Sequence, residues 1–206
     1  MEPVIRLYRP DDRNDLYRIC LMTGHHGEDA TGEFADPMIL GHVFAGPYPQ
    51  FEPTLAFVVE DEEGVGGYIL GALDTRAFED RLESDWWPGL RDRYPAPGSD
   101  VLQQDWTPDQ RIAQMIHDPF RTPDELVGPY PSHLHINLLQ RLQSRGFGAR
   151  LTKTLIKALR QQRSVGLHFH VWSDNHRALG FYRHTGFAEF PFDESFSTFV
   201  IDLRDS

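Results

Sequence analysis

Apolar and polar residues follow two different periods along this 206-residue chain. Apolar runs, several with alternating polar positions, predict strands at residues 4–8, 55–60, 65–73, 133–138 and 167–172. Apolar residues three or four positions apart predict helices around residues 16–20, 37–44, 108–117, 151–160 and 175–182. Strands and helices in this order predict an α/β (α+β) fold, with a mixed sheet flanked by helices.

The second and third predicted strands form a hairpin. Between them, residues 61–64 read Asp-Glu-Glu-Gly, which is typical of a tight turn. Gly66 and Gly67 lie inside the third strand, where glycine is unfavourable unless the strand carries a bulge or another group approaches the backbone closely. We therefore expect one of these two features there.

The most informative stretch covers residues 133–149. It passes from an alternating strand, through a loop from Gln143 to Ala149, into an amphipathic helix. Gly146 and Gly148 allow successive backbone N–H groups to converge, and the first helical turn adds unpaired donors and a positive dipole end. This combination predicts a pyrophosphate-binding loop. The spacing matches neither G-x-x-x-x-G-K-[ST] nor G-x-G-x-x-G, which excludes two common phosphate-loop families.

A second motif follows one helix and one strand later. Residues 175–187 read N-x-x-A-x-x-x-Y-x-x-x-G-F, in which the asparagine caps a short helix and the glycine ends it. Together with Gln143-x-x-Gly146-x-Gly148, this motif resembles the GNAT superfamily of acetyl-CoA-dependent N-acetyltransferases. The resemblance implies the GNAT fold, whose central parallel strands splay apart to admit the pantetheine arm of the co-substrate.

The resemblance also implies roles for individual residues. Acetyl-CoA would be the co-substrate, no metal would be needed, and an amine would attack the thioester directly. Tyr182 matches the general acid that protonates the departing thiolate, and His135 is the best-placed base for the amine proton. The residues expected to bind acetyl-CoA are Leu138, Gln143, Arg145, Gly146, Phe147, Gly148, Ala149 and Asn175.

Other residues compete with His135 for the role of base. His133 lies on the same strand, and Glu28 and Asp29 belong to a polar, glycine-rich segment, residues 23–32, which helps to wall the acceptor site in the family. A satisfied strand histidine and a solvated loop are the structural alternatives for these residues.

Residues 76–131 form an unusually long connection between the third and fourth predicted strands. In a minimal GNAT domain these strands follow each other almost directly. Trp86, Trp87 and Trp106 within this insertion predict that it is packed rather than disordered, because aromatic burial offsets the entropy cost of ordering. We expect it to cover the acceptor site, to form a homodimer surface, or both, within a single domain of residues 1–206.

A narrower resemblance rests on three segments, which read YRPDDRNDLYRIC, FVVEDEEGVGGYILGALDT and WWPGLRDRYP. They are similar to the C-terminal acetyltransferase-like domain of O-GlcNAcase and its stand-alone bacterial relatives. The animal form of that domain departs from the glycine loop and is regarded as a pseudo-acetyltransferase, whereas this chain keeps the loop. Two functions therefore stay open, an active N-acetyltransferase and a CoA-binding or pseudo-acetyltransferase interaction module without turnover.

Net charge and composition limit the kinds of partner that we expect for the protein. The net charge of −11, from 31 acidic and 20 basic residues, argues against a nucleic-acid partner. It is compatible with steering of a cationic amine, small molecule or protein, although solubility alone explains an acidic surface equally well. No apolar run reaches membrane-spanning length, and the first residues lack a signal-peptide pattern, so we expect a cytoplasmic protein without a membrane partner. Cys20 is the single cysteine and lies on an apolar helix face, which favours a core position.

Four histidines offer a metal site as a further alternative. His133, His135, His168 and His170 form two H-x-H pairs on neighbouring strands, a spacing that can supply zinc ligands. Strands that splay apart would separate the two pairs, and for that reason we expect no metal.

Overall fold

A computed structural model of the chain describes residues 2–191 and 196–204. Within these residues, seven strands form one sheet in the order β1-β2-β3-β4-β5-β7-β6. The strands are β1 (Val4–Leu7), β2 (Ala56–Asp61), β3 (Gly64–Ala72), β4 (Ser132–Leu138), β5 (Gly166–Trp172), β6 (Ala188–Phe190) and β7 (Phe196–Asp202). The α-helices of the described residues are α1 (Arg13–Leu21), α2 (Ile39–Phe44), α3 (Pro47–Phe51), α4 (Thr75–Arg81), α5 (Trp87–Arg93), α6 (Pro108–His117), α7 (Asp124–Val127), α8 (Phe147–Gln161) and α9 (His176–His184).

The sheet is mixed, and its one parallel pair in the described residues, β4 with β5, lies at the centre. These two strands pair only at Ser132↔Leu167 and His133↔His168. Beyond those positions they diverge, although β4 continues to Leu138 and β5 to Trp172. The predicted mixed sheet with splayed parallel central strands is therefore confirmed.

The two faces of the sheet carry different helices and different cores. Helices α1, α2, α5 and α6 contribute to the core on one face, and α8 and α9 contribute to the core on the other. Successive side chains of β4 alternate between them. Leu134 and Ile136 pack in the core that contains α8, whereas His135 stacks on Tyr68 in the core that contains α1.

Both features expected at Gly66 and Gly67 are present. The β2–β3 register passes from Val59↔Gly67 to Glu60↔Val65, which leaves Gly66 as a bulge. A Cβ atom on Gly67 would lie 2.3 Å from Cδ2 of Leu138. The absence of a side chain at Gly67 therefore makes room for the last residue of β4.

The chain between β3 and β4 is helical and packed. Its α6 begins and ends as predicted, and Thr107 caps it by accepting a hydrogen bond from the N–H of Gln110 at 3.2 Å. Ile116 is fully buried, and its carbonyl accepts a hydrogen bond from Nε of Arg91 at 3.0 Å. These contacts join α5 to α6 and hold the segment against the face of the sheet that carries α1 and α2.

The start of β5 generates a test of this architecture. A Cβ atom on Gly166 would lie 2.4 Å from the carbonyl oxygen of Pro129 and 2.9 Å from Cα of Tyr130. Because both obstacles are backbone atoms, no side-chain rotation relieves the clash. We expect Gly166→Ala to lower the free energy of unfolding in urea by about 1–3 kcal/mol.

The matched control is Gly89→Ala on α5, where an added Cβ meets no atom within 4 Å. This variant should be as stable as the parent or slightly more stable, because alanine favours helix more than glycine does. A Gly166→Ala protein with parental stability would show that the base of the β4–β5 pair is not tightly fixed.

Candidate active site

The divergence of β4 and β5 opens a cleft of about 420 Å³. It is lined by the end of β4, the loop before α8 and the first turn of that helix, the N-cap and one side of α9, and part of the α1–α2 connection. Seven of the residues predicted from the sequence line this cleft, namely Leu138, Gln143, Gly146, Gly148, Ala149, Asn175 and Tyr182. His135, Arg145 and Phe147 do not.

At one part of the cleft the backbone offers unpaired donors. Gly146 is the N-cap of α8 and has a φ of +78°, a left-handed conformation that favours glycine. The first helical hydrogen bond runs from the N–H of Arg150 to the carbonyl of Gly146, at 3.1 Å. The N–H groups of Phe147, Gly148 and Ala149 therefore have no acceptor in the described part of the chain. Such a helix terminus suits an anion.

The end of β4 directs another backbone donor into the gap. The N–H of Leu139 donates to the carbonyl of Gly66 on β3, at 2.8 Å. Because backbone groups alternate between the two edges of a strand, the N–H of Leu138 points away from β3, toward the gap left by β5. Gln143, in the loop before α8, contacts the same end of β4, because its Nε2 donates to the carbonyl of Leu138 at 2.7 Å.

Two of the predicted acetyl-CoA residues lie beside the cleft instead of in it. The Phe147 side chain is buried in the core beneath α8. Arg145 is exposed, and its guanidinium donates to the carbonyl of Arg141 at 3.2 Å. The loop therefore presents backbone groups to the cleft and turns these two side chains elsewhere.

Helix α9 supplies two polar side chains to the cleft. Oδ1 of Asn175 accepts a hydrogen bond from the N–H of Ala178 at 3.1 Å and so caps the helix, as predicted. Tyr182 lies among aromatic rings, with its ring centre 4.4 Å from that of Phe169, and its hydroxyl has no hydrogen-bond partner among the described residues. Burial raises the pKa of Tyr182 above its ordinary value of 10.0, so the hydroxyl is protonated near neutral pH.

His135 lies outside the cleft lining. Its ring stacks on Tyr68 at 5.6 Å and lies 6.1 Å from Phe44, and its buried Nε2 has no hydrogen-bond partner among the described residues. Burial lowers the pKa of His135 to about 4. Proton transfer to it from an alkylammonium group with a pKa of about 10.4 would be uphill by roughly 9 kcal/mol. The structure thus gives His135 a poor position and a poor basicity for direct proton abstraction.

The other strand histidines are held by structural hydrogen bonds. The hydroxyl of Thr75 donates to the carbonyl of Pro131 at 2.8 Å and therefore accepts from Nδ1–H of His133, also at 2.8 Å. Nδ1–H of His168 donates to the carbonyl of Tyr130 at 2.7 Å. Across residues 2–191 and 196–204, no group of three or more His, Cys, Asp or Glu side chains is placed to hold a metal ion.

The α1–α2 connection closes one end of the cleft. Thr23 and Gly27 line it, and a Cβ atom on Gly27 would lie 3.2 Å from Nδ2 of Asn175. Nδ1 of His26 lies 3.0 Å from a carboxylate oxygen of Asp174, which ties the connection to the turn before α9. Glu28 is exposed and outside the cleft lining, as is Asp29, whose carboxylate accepts a hydrogen bond from the N–H of Thr31 at 2.8 Å.

Sequence reasoning missed Asn137, which follows Ile136 on β4 and also lines the cleft. Its place in the strand alternation, between Ile136 and Leu138, was the available signal. Phe181 was missed as well, although it immediately precedes Tyr182 in the second motif.

A family model described as "Acetyltransferase (GNAT) family" matches residues 42–187 of the chain. The chain belongs to the GNAT acetyltransferase family. The crystal structure of SsHAT superposes with a TM-score of 0.90 at 36% identity and covers 100% of both chains. The structure of yncA, a putative acetyltransferase from Salmonella typhimurium with its cofactor acetyl-CoA, has a TM-score of 0.57 at 13% identity and covers 100% of this chain and 96% of that one.

Among curated proteins, the O-GlcNAcase of Rattus norvegicus is 25% identical over 203 residues, which is 98% of this chain and 22% of the relative. The O-GlcNAcase of Mus musculus matches over the same shares of both sequences. The chain thus spans about a fifth of the length of these relatives. Both resemblances inferred from the motifs are confirmed, and acetyl-CoA is the acetyl donor that the family uses. None of the described helices has the length and apolar character needed to cross a membrane.

The low basicity of His135 makes the fold sensitive to acid. Its folded pKa of about 4 lies below the ordinary value of 6.5. The stabilisation from the neutral ring is therefore complete above pH 6.5 and is lost as the pH falls toward 4. We expect this group to lower the free energy of unfolding by about 2 kcal/mol between pH 7 and pH 5, measured by urea denaturation.

The comparison protein is His135→Gln, whose side chain does not titrate. Its stability should change less than that of the parent over the same pH interval. Equal pH dependence in the two proteins would show that His135 does not carry the effect.

Proposed function

We propose that the protein is an acetyl-CoA-dependent N-acetyltransferase, in which an amine attacks the thioester directly. One observation carries this proposal. The start of α8, with its unpaired N–H groups, and Tyr182 line the same cleft. Acetyl-CoA supplies the activated acetyl group. The chain supplies donors for its phosphates, a slot for its extended arm and a proton for the thiolate that leaves.

The chemical character of the cleft fits acetyl-CoA. Backbone N–H groups of Phe147, Gly148 and Ala149 would hold the pyrophosphate, and Asn175 would lie beside the pantetheine arm. The N–H of Leu138 would bind the thioester carbonyl and stabilise the negative charge that develops on its oxygen. Loss of one donor of this kind costs about 2.7–4 kcal/mol of barrier in other acyl-transfer enzymes.

Tyr182 would donate the proton that the leaving thiolate requires. Ordinary pKa values of about 10 for tyrosine and about 8.5 for a thiol make this transfer uphill by roughly 2 kcal/mol. Burial raises the pKa of Tyr182, which opposes the transfer. The same apolar cleft raises the pKa of a bound thiol, because burial disfavours the charged form of both groups. The two effects oppose each other, so the barrier stays small.

A second candidate function is a CoA-binding interaction module without turnover. It is favoured by the absence of any Asp, Glu or His among the described residues that line the cleft. Acetyl-CoA binding without transfer to any amine would support this module, whereas turnover would support the enzyme.

The same proposal includes the cellular location, the domain organisation and the acceptor of the enzyme. We place it in the cytoplasm, as a single domain of residues 1–206, acting on an amine of a small molecule or a protein. The helices of residues 76–131 would cover the acceptor site, contribute to a homodimer surface, or both.

Gly146 offers a direct test of acetyl-CoA binding. Aspartate tolerates the left-handed backbone at this position better than most residues do, and an added Cβ meets no atom within 4 Å. Its carboxylate would repel the pyrophosphate, so Gly146→Asp should weaken acetyl-CoA binding about 100-fold, an effect of ~2.7 kcal/mol in calorimetric titration.

Gly146→Asn serves as the matched control, since it has the same shape without the charge. Its affinity should fall by less than about tenfold, a difference of ~1.4 kcal/mol. Parental affinity in the aspartate variant would place the phosphates elsewhere.

Tyr182→Phe tests the proton donor. Removal of the hydroxyl should lower kcat by about 100-fold, the usual contribution of a general acid, while the Kd for acetyl-CoA stays unchanged. Tyr130→Phe, which alters a tyrosine outside the cleft lining, should retain parental kcat. Parental kcat in Tyr182→Phe would assign thiolate protonation to solvent.

A further inference from the structure

The described side chains that line the cleft carry no charge. They are apolar, hydroxyl or amide groups, together with glycine backbone. His26 and Asp174 precede the lining residues Gly27 and Asn175 in the sequence, and Nδ1 of His26 lies 3.0 Å from a carboxylate oxygen of Asp174. Although the chain has a net charge of −11, the described side chains that line the cleft contribute none of that charge at the place where an acceptor would meet the acetyl group.

Asn137 is the polar side chain that β4 contributes to this lining. It lies on the sheet face opposite α8, with Nδ2 donating to the hydroxyl of Tyr68 at 3.0 Å. Tyr68 is fully buried and stacked on His135, so it holds the amide in one orientation. Oδ1 of Asn137 accepts no hydrogen bond from the described residues and remains available to a ligand.

The uncharged lining of the cleft affects charged and neutral amines differently. A strongly basic alkylamine is a cation at neutral pH, and it must lose water and a proton before it can attack. Residues that line the cleft offer no carboxylate or imidazole for either purpose. The nearby imidazole of His135 has a pKa lowered to about 4 by burial and is a weak base. A neutral amine meets neither obstacle.

We propose that the acceptor is a weakly basic amine, one with an appreciable neutral fraction near physiological pH, and that Oδ1 of Asn137 accepts a hydrogen bond from its N–H group. This inference rests on the proposed acetyltransferase function and names its substrate class. The hydrogen bond to Asn137 leaves the nitrogen lone pair free to face the acetyl carbon.

The reaction then balances without a strong base. The amine nitrogen forms a bond to the acetyl carbon, and the carbon–sulfur bond breaks with its electron pair on sulfur. Tyr182 gives its proton to sulfur, and the proton released from nitrogen passes through water to restore the tyrosine. The products are an N-acetyl amide and the free thiol of CoA.

Two matched pairs of acceptors test the substrate class. One pair is a short peptide with a free α-amino group and an acetylated lysine, compared with the converse peptide. The second pair is aniline and benzylamine. Because α-amino and lysine groups have pKa values of about 7.7–8.0 and about 10.4, kcat/KM at pH 7 should favour the α-amino peptide by about 300-fold. It should also favour aniline over benzylamine.

The outcomes separate the inference from the function on which it rests. Preference for the strongly basic member of either pair would overturn the substrate class and leave the acetyltransferase in place. Transfer to none of the four acceptors by a protein that binds acetyl-CoA would overturn both. The expected preference in both pairs would support both.

Variants of Asn137 test its contact with the acceptor. Asn137→Ala should lower kcat/KM about tenfold for the weakly basic acceptors, as expected for one lost hydrogen bond, with the Kd for acetyl-CoA unchanged. Asn137→Asp adds a carboxylate that binds a cation, so it should shift the preference toward the strongly basic members at least about tenfold.

Tyr68→Phe removes the group that orients the amide and should reproduce part of the Asn137→Ala effect without changing the preference. Unchanged kcat/KM in Asn137→Ala, or an unchanged preference in Asn137→Asp, would overturn the role of Asn137. The preserved affinity for acetyl-CoA shows in each case that the variant is folded.

Discussion

The structure depends on the way in which β4 and β5 begin as a parallel pair and then part. Their common base is fixed by close contacts. Gly166 lies against the backbone of residues 129–130, and the hydroxyl of Ser132 lies 2.7 Å from that of Ser164 while donating to the carbonyl of Leu73 at 2.6 Å. Beyond this base, backbone groups that a continuous sheet would pair are left facing each other across a gap. An unpaired backbone donor is costly unless a ligand or water satisfies it, so the divergence creates both the space and the need for a bound molecule.

The two sides of the gap between β4 and β5 differ in their chemical character. On one side α8 begins with N–H groups that have no acceptor among the described residues, and on the other side the sheet presents aromatic rings and neutral imidazoles. Burial lowers the pKa of both His133 and His168, which keeps this face uncharged although the chain as a whole is acidic. Charged groups pair elsewhere, as Arg6 of the edge strand β1 does with Asp12 at 2.7 Å.

Local patterns predicted most of what surrounds the site, because those patterns act over a few residues. Capping explains the correct start of α6, and glycine spacing explains the loop before α8. The strands β6 and β7 were not predicted. The pairing of β7 with β5 is a contact between distant parts of the sequence that no local period records, and β6 joins the sheet only through β7 among the described strands. His135 was chosen as the base because alternation places it on a polar side of β4. The aromatic residues of α2 and α3 cover that side, and the sequence does not show which helix packs over which part of the strand.

Kinship with O-GlcNAcase raises the question of whether such a domain needs a co-substrate at all. The geometry before α8 bears on that question. Gly146 occupies a left-handed conformation, and three consecutive N–H groups after it lack acceptors among residues 2–191 and 196–204. A domain that served only as a docking surface would gain stability from a capping side chain at this terminus, by about 1 kcal/mol. The terminus instead ends in a glycine that leaves the donors open. This arrangement gives up stability at the start of α8, and it lines the gap between the only parallel strands among those described. Ligand binding explains it better than packing does. Turnover then depends on how the cleft transfers a single proton.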